Sequence, residues 1–314
     1  MVKHTFKAAH FRDEEAARAW FEAARWTDGP VCPHCGSLRH YKTKKLGRFR
    51  CGEKECRKDF TVMTKSVMER SHAPLTSWAI AFHLYASSKK GFTATQLERI
   101  LGCEYNTAWF IHHRVMEAMR RGGLDTPPMG GPGGVVEVDE TYFGNVPEAK
   151  RPKVTTSGRP FTKRGKTGPS GKRAIVSLVD RHRGNVRSFH VPTADAATVA
   201  KIVRENVHTE TRLHTDESRL YSAVGVEFAT HETINHSAKE YARGDVTTNT
   251  VEGYFGIFKR GMRGNYQHCA EKNLHRYIAE FDFRYNTRAM TDGERAALAV
   301  KGGEGKRLTY RQPN

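Results

Sequence analysis

Long apolar runs are missing from this 314-residue chain. None approaches the roughly 18 residues that a membrane-spanning helix needs, which excludes a helical membrane protein. The opening MVKHTFKAAHFRDEEAARAW has no apolar stretch behind its first charges, so no signal peptide is expected and the expected location is the cytoplasm. Cysteine is sparse, with six in the whole chain. In a reducing compartment those six are thiols or metal ligands rather than disulfides. Internal repeats are absent. Acid is in short supply too: 34 Asp and Glu stand against 52 Lys and Arg, a formal charge of +18 and a pI of about 9.8. That imbalance predicts attraction to a polyanion, of which nucleic acid is the commonest. A ribosomal-type or membrane-surface basic protein is the blander reading. The length allows two or three domains.

What cysteine there is falls mostly in one place. Cys32 and Cys35 form a CxxC pair, and Cys51 and Cys56 follow as CxxxxC after fifteen residues. Two paired thiolate turns of this kind make a tetrahedral zinc site. Gly36 sits where a tight knuckle favours glycine. RHYKTKKLGRFR between the pairs reads as two short basic strands around Gly47. His34 and His40 are bystanders, since four thiolates complete the shell. A ribbon this small needs its metal to fold. Before it, Asp13–Trp26 reads as a helix with Trp20 and Phe21 on its apolar face.

Residues 76–121 follow a helical period, with Trp78, Phe82 and Tyr85 at i, i+4 and i+7. A short helix over Gln96–Leu101, a break at Gly102 and a longer helix over Asn106–Arg121 match a helix-turn-helix. The longer helix is expected to expose basic and His side chains. An ordinary packing hairpin is the alternative, and Cys103 at the turn reads as a small buried residue.

GGLDTPPMGGPGG (122–134) reads as a linker. Beyond it the pattern changes to strand (Val135–Phe143), a long basic Gly/Pro-rich loop (145–172), and a hairpin of Arg173–Asp180 with Asn185–Val191 turning at Arg183–Asn185. A helix (Ala194–Val207), a strand (Arg212–Thr215) and helices over Thr248–Arg263 and Asn273–Asn286 follow. Roughly the last twenty residues read as a polar, frayed tail.

Three of the scarce acids stand out. Asp139 ends an apolar run in VVEVDETYF, Asp216 ends another in RLHTDESRLY, and Glu252 lies near the start of the helical pattern TTNTVEGYFGIFK. Acids gathered in a basic chain point to divalent metals acting on a polyanion, each ion held by one or two carboxylates plus a substrate phosphate. On the last helix Val251, Phe255, Phe258 and Met262 form a core-facing stripe. Glu252 and Lys259 share a flank about 10 Å apart. Two alternatives stay open at this level. Asn249 and Glu252 also spell a capping box. Glu137, Glu140, Asp180 and Glu217 are further acids near strand ends, and alternation places Glu137 on the same face as Asp139. His214, His231, His236 and His268 show no metal spacing and read as surface or phosphate contacts.

Taken together, the ribbon with its RFRC half, QLERILGCEYNTAW, VEVDETYFG, LHTDE, INHSAKEYAR, NTVEGYFGIFKRG and LHRYIAEFDFRYN resemble the bacterial insertion-sequence transposases of the DDE type. The resemblance runs from about Trp20 to Thr287. It implies a multidomain chain: an N-terminal helix plus zinc ribbon (1–70), an all-α helix-turn-helix region (71–122), a linker (123–134), and an α/β RNase H-like catalytic domain with a mixed sheet (135–290), then a tail (291–314). It assigns Asp139, Asp216 and Glu252 as ligands of two Mg²⁺ or Mn²⁺ ions, Lys259 as the accompanying catalytic lysine, and one structural Zn²⁺ to Cys32, Cys35, Cys51 and Cys56. The implied partners are the element's terminal inverted repeats and target DNA, in a homodimer or larger assembly associated with the nucleoid. Candidate DNA contacts are Asn106, Thr107 and Arg114 on the second helix of the pair, Lys163, Arg164 and Lys166 in the basic loop, and Asn249, Lys259 and Arg260 on the late helix. The implied reaction is hydrolysis that frees a 3′ hydroxyl, followed by its attack on target DNA. A DNA-binding regulator derived from a transposase and a nuclease that cuts without joining are the rival functions.

Overall fold

The computed structural model describes residues 5–120, 126–144 and 172–308. In chain order it contains α1 (Glu14–Arg25), β1 (His40–Lys42), β2 (Phe49–Cys51), β3 (Asp59–Phe60), α2 (Leu75–Ser87), α3 (Ala94–Leu101) and α4 (Tyr105–Met119). There follow β4 (Val135–Phe143), β5 (Arg173–Asp180), β6 (Asn185–Val191), α5 (Ala196–Asn206), β7 (Arg212–Asp216), the single turn α6 (Ser222–Gly225), β8 (Thr230–Ile234), α7 (Asn249–Gly261), α8 (Leu274–Asn286) and α9 (Asp292–Gly302). No described helix is long and apolar enough to cross a membrane. The chain divides into two compact units. One comprises Met1–Gly122, Gly264–Tyr266 and Ala279–Asn314; the other comprises Gly123–Arg263 and Gln267–Ile278.

The first unit joins the ribbon to a helical core. Strands β1, β2 and β3 form a small antiparallel sheet, on which Phe49 and Phe60 stack and Trp26 packs edge-on against both. Asp13 caps α1, its Oδ2 accepting from the Ala16 amide at 2.7 Å. The start of α2 has Pro74 at its cap and no capping side chain of its own. Glu14 supplies one instead, its carboxylate accepting from the Leu75 and Thr76 amides at 2.8 and 3.2 Å. Thr93 and Gln96 form a reciprocal capping box on α3, and Gly102 closes that helix in the left-handed region at φ 61°. Deep in the unit, the fully buried Glu280 accepts from the Tyr266 hydroxyl at 2.7 and 2.6 Å and pairs with Arg284.

The C-terminal segment differs from the expected frayed tail. Thr291 and Glu294 form a capping box, and α9 buries Ala296, Ala299 and Val300 against α2, α1 and α4. Its apolar face is made of small residues, so composition alone reads as polar. The expected boundary at residue 290 moves as well, because 279–290 belong to the first unit.

The second unit is built on a five-stranded mixed sheet in the order β6–β5–β4–β7–β8. Strands β4, β5 and β6 form an antiparallel meander, while β7 and β8 run parallel to β4. This is the RNase H-like arrangement, an α/β fold in which a crossover helix returns the chain to the far side of the first strand. That crossover is α5. Its Val199, Ile202 and Val203 pack with Val136, Val138 and Leu213 in the core on one sheet face. Helix α7 covers the other face of β4, with Val251, Tyr254, Phe255 and Phe258 buried and the Phe143 and Phe258 rings 5.6 Å apart.

The described part of the expected linker, 126–134, is packed into this unit. Met129 is buried and exchanges backbone hydrogen bonds with Asn206 and His208. Gly130, at φ 76°, donates its amide to Asp180 Oδ2 at 3.0 Å, and a Cβ there would collide with Thr211. The basic loop lies outside the described residues apart from Lys172.

Candidate active site

Parallel pairing sets the first two acids side by side. The β4–β7 ladder matches Val135 with Arg212, Val136 with Leu213 and Glu137 with His214. Two residues further along each strand stand Asp139 and Asp216, beyond the last paired rung. β7 ends at Asp216 while β4 runs on to Phe143 beside β5, and the point where parallel strands part is the usual ligand position in open α/β sheets. Asp216 Oδ1 accepts from the Ser218 amide at 3.0 Å, and Asp139 Oδ1 from the Glu140 amide at 2.7 Å.

Burial and neighbouring acids act together on the two aspartates. Burial, then the charges of Glu140, Asp216 and Glu252, push the Asp139 carboxyl up to about 8. Burial, with Glu217 and Glu252, raises Asp216 as well. Glu140 is raised by burial and Asp216 although the buried Tyr221 hydroxyl donates to it at 2.5 Å. Holding these carboxyls ionised together calls for positive charge, and an all-oxygen donor set suits a hard divalent cation. The residues therefore fit such an ion chemically. They are not drawn into a tight cage: among the described residues, only the four ribbon cysteines bring three or more metal-binding atoms within 4.8 Å of one another.

Glu252 lies in the first turn of α7. The capping box with Asn249 does not form. Thr248 is the cap residue, Asn249 is the first helical residue, and Thr248 Oγ1 donates to Glu252 Oε1 at 3.2 Å. Glu252 Oε1 also lies 3.2 Å from His236 Nε2, just beyond the end of β8. Two turns along α7, Lys259 is half-buried, its Nζ 6.0 Å from the centre of the Phe255 ring. Burial, then Arg263, lowers its pKa, and Asp139 opposes that shift. Asn249 and Arg260 are exposed on the same helix.

In the ribbon, Cys32 and Cys56 Sγ stand 3.8 Å apart, Cys35 and Cys51 3.5 Å, and all four lie within 4.8 Å of one another. Thiolates around one zinc at about 2.3 Å are about 3.8 Å apart. The Gly36 amide donates to the Cys32 carbonyl at 2.8 Å, with Gly36 at φ 77°, as a metal knuckle requires.

Comparison with known proteins bears on these features directly. A family model described as ISXO2-like transposase domain matches residues 132–286, and one described as transposase zinc-ribbon domain matches residues 12–59. Together they span well over half of the sequence. The chain belongs to the ISXO2-like transposases. An uncharacterized transposase-like protein of Haemophilus influenzae is 27% identical over 96 residues, covering 31% of this chain and 76% of that protein. Among solved structures, the catalytic core domain of BIV integrase matches at a TM-score of 0.29 and 15% identity, over 46% of this chain and 80% of that one. The Mos1 transposase paired-end complex with left transposon end matches at 0.23 and 14%, over 68% of this chain and 78% of that one. Likenesses this slight carry no argument.

For this transposase, the expected DNA contacts fall into three groups. Asn106 and Thr107 are exposed at the start of α4. Lys163, Arg164 and Lys166 lie outside the described residues. Arg114 is placed differently from expectation. It is buried, donates to the carbonyls of Glu69 at 2.9 Å and Leu308 at 3.1 Å, and stacks on Phe110 at 3.8 Å. Burial, then Arg307, lowers its pKa to about 10. His112 and His113 beside it are buried too, so the exposed basic face expected of α4 does not form, and what α4 exposes is its polar first turn, Tyr105–Thr107. Sequence reading also missed Glu137. Its carboxylate is fully buried against the start of α7. The signal available was its face, shared with Asp139, and alternation gave both acids the same standing.

Proposed function

We propose that this ISXO2-like transposase binds the terminal inverted repeats of its insertion sequence, cuts at the element ends and joins the freed 3′ hydroxyls to target DNA. The observation that carries this reading is the placement of Asp139, midway along β4, beside Asp216 at the end of the parallel strand β7, with Glu252 and Lys259 on the helix that packs on β4. Asp139, Asp216 and Glu252 would together hold the Mg²⁺ or Mn²⁺ ions. Held there, the cations would activate the attacking water or 3′ hydroxyl and stabilise the leaving oxygen.

The protein's own groups do the rest. The carboxylates would set where the scissile phosphate sits, since its oxygens would share the cations they hold. Lys259, half-buried and short of solvent, is a point charge for a flanking phosphate. Glu252 is aimed by Thr248 and His236. The ribbon and the α3–α4 pair supply DNA reading, with Asn106 and Thr107 at the exposed start of the second helix. A structural Zn²⁺ holds the ribbon. Processing two ends together calls for a homodimer or larger assembly, working in the cytoplasm on nucleoid DNA. With +18 of formal charge, affinity should fall steeply with salt.

The test is a strand-transfer assay with labelled terminal-repeat duplexes, plasmid target and Mg²⁺. Wild-type protein should give nicked and joined products. Asp216→Asn should bind the repeat normally and lose both products by at least about a thousandfold, as expected when a metal ligand goes. Binding without cleavage by the wild type would favour a regulator, cleavage without joining a nuclease. A fully active Asp216→Asn would overturn the metal assignment.

A further inference from the structure

Glu137 carries no part of the reaction assigned above, yet it is fully buried in the second unit, two residues before Asp139 on the same face of β4. Its Oε2 accepts from the backbone amides of Thr250 and Val251, both at 2.9 Å. Its Oε1 accepts from the Thr250 hydroxyl at 2.8 Å and from Arg181 Nε and Nη2 at 3.0 and 2.7 Å. Arg181 also donates to the carbonyls of Asp245 at 2.7 Å and Thr247 at 3.1 Å. The loop entering α7 and its first turn are thus tied to one carboxylate on the central strand.

The arrangement answers a need of that helix. Thr248 makes no side-chain bond to the first-turn amides. A helix begins with amides that have no partner within it, and a carboxylate there also meets the positive end of the dipole. Glu137 fills both roles from outside the helix. The geometric consequence reaches the metal acids. Asp139 lies about 7 Å further along the same strand. Glu252 is the residue next to Val251, whose amide Glu137 holds, and Lys259 follows two turns later. The helix acid is thus linked to the strand acids through a buried carboxylate and its half-buried arginine partner.

We propose that Glu137, tied to Arg181, is a positioning residue that fixes the register of α7 against β4 and so the distance from Glu252 to Asp139 and Asp216. The catalytic part of this inference rests on the transposase reading; the capping part does not. Glu137→Gln is the informative variant. An amide can present only one acceptor oxygen, so either the two helix amides or Arg181 must face an NH₂ group, while volume and packing are kept.

Two readouts are needed. Hydrogen exchange by mass spectrometry, run on the full chain without metal or DNA, should show peptides spanning 247–258 exchanging about tenfold faster in Glu137→Gln, with β5, β6 and α5 unchanged. Strand transfer should need about tenfold more Mg²⁺ for half-maximal rate, with terminal-repeat binding unaltered. Thr250→Ala, which removes the hydroxyl donor and keeps both amides, should move both readouts the same way by less, and it stands in if Glu137→Gln does not fold. Unchanged exchange in 247–258 would overturn the inference, as would loss of protection throughout the sheet, or an unshifted Mg²⁺ requirement in an active enzyme. A local exchange change in a protein that never joins DNA would keep the capping role, and it is the transposase reading that would fall.

Discussion

Two arginines in this protein separate buried structural charge from exposed charge. Arg114 and Arg260 both lie on helices expected to meet DNA, yet the first is buried on carbonyls and the second is exposed. Replacing Arg114 by Met strands two carbonyl partners and should lower stability by about 2–4 kcal/mol. It should leave the slope of log affinity against log salt unchanged. Asn106→Ala with Thr107→Ala should do the reverse, weakening repeat binding about tenfold or more while stability stays within about 0.5 kcal/mol. Thermal melts and a salt titration of binding decide the matter; a slope that falls by about 1 in Arg114→Met would put that side chain back on a phosphate. Sequence could not foresee the burial, because the acceptors Glu69 and Leu308 lie 45 and 194 residues away. The same blindness applied to Glu137 and Asp139, where one pleat face holds a helix anchor and a candidate metal ligand two residues apart.

Among the elements, α2 and α7 share a construction. Neither has a capping side chain at its own N-cap, and each is capped by a carboxylate from a distant strand or helix, Glu14 for α2 and Glu137 for α7. Caps of this kind fix the position of a helix as well as its start. Glu14→Ala should cost about 1 kcal/mol and fray the first turn of α2, visible as faster exchange at Leu75 and Thr76. A change spread over the whole helical region would contradict a local cap. The elements themselves were largely legible. Strands β4–β7 announce themselves by apolar runs with turn residues between them, and α7 by its stripe of Val251, Phe255 and Phe258. Helix α9 was not legible, since Ala296, Ala299 and Val300 make a face too small to register as periodic. The 126–134 segment read as a linker for its Gly and Pro content, while its backbone hydrogen bonds to Asn206, His208 and Asp180 depend on tertiary partners.

At the scale of the molecule, the chain passes between its two units at residues 122/123, 263/264, 266/267 and 278/279. The ribbon and helix pair therefore do not form a self-sufficient N-terminal piece. Tyr266, Glu280, Arg284 and α9 complete the helical core from the far end of the sequence. A fragment of residues 1–122 should hold zinc in its ribbon yet show no cooperative melt of its helices by circular dichroism, whereas the full chain should. A sharp transition in the fragment would show that the C-terminal pieces are dispensable.

That interleaving bears on how gene copies of such a chain decay. A stop codon anywhere ahead of α9 removes a wall of the unit that carries the ribbon and the α3–α4 pair. Truncated copies should accordingly be degraded rather than persist as fragments that occupy element ends and silence their intact siblings.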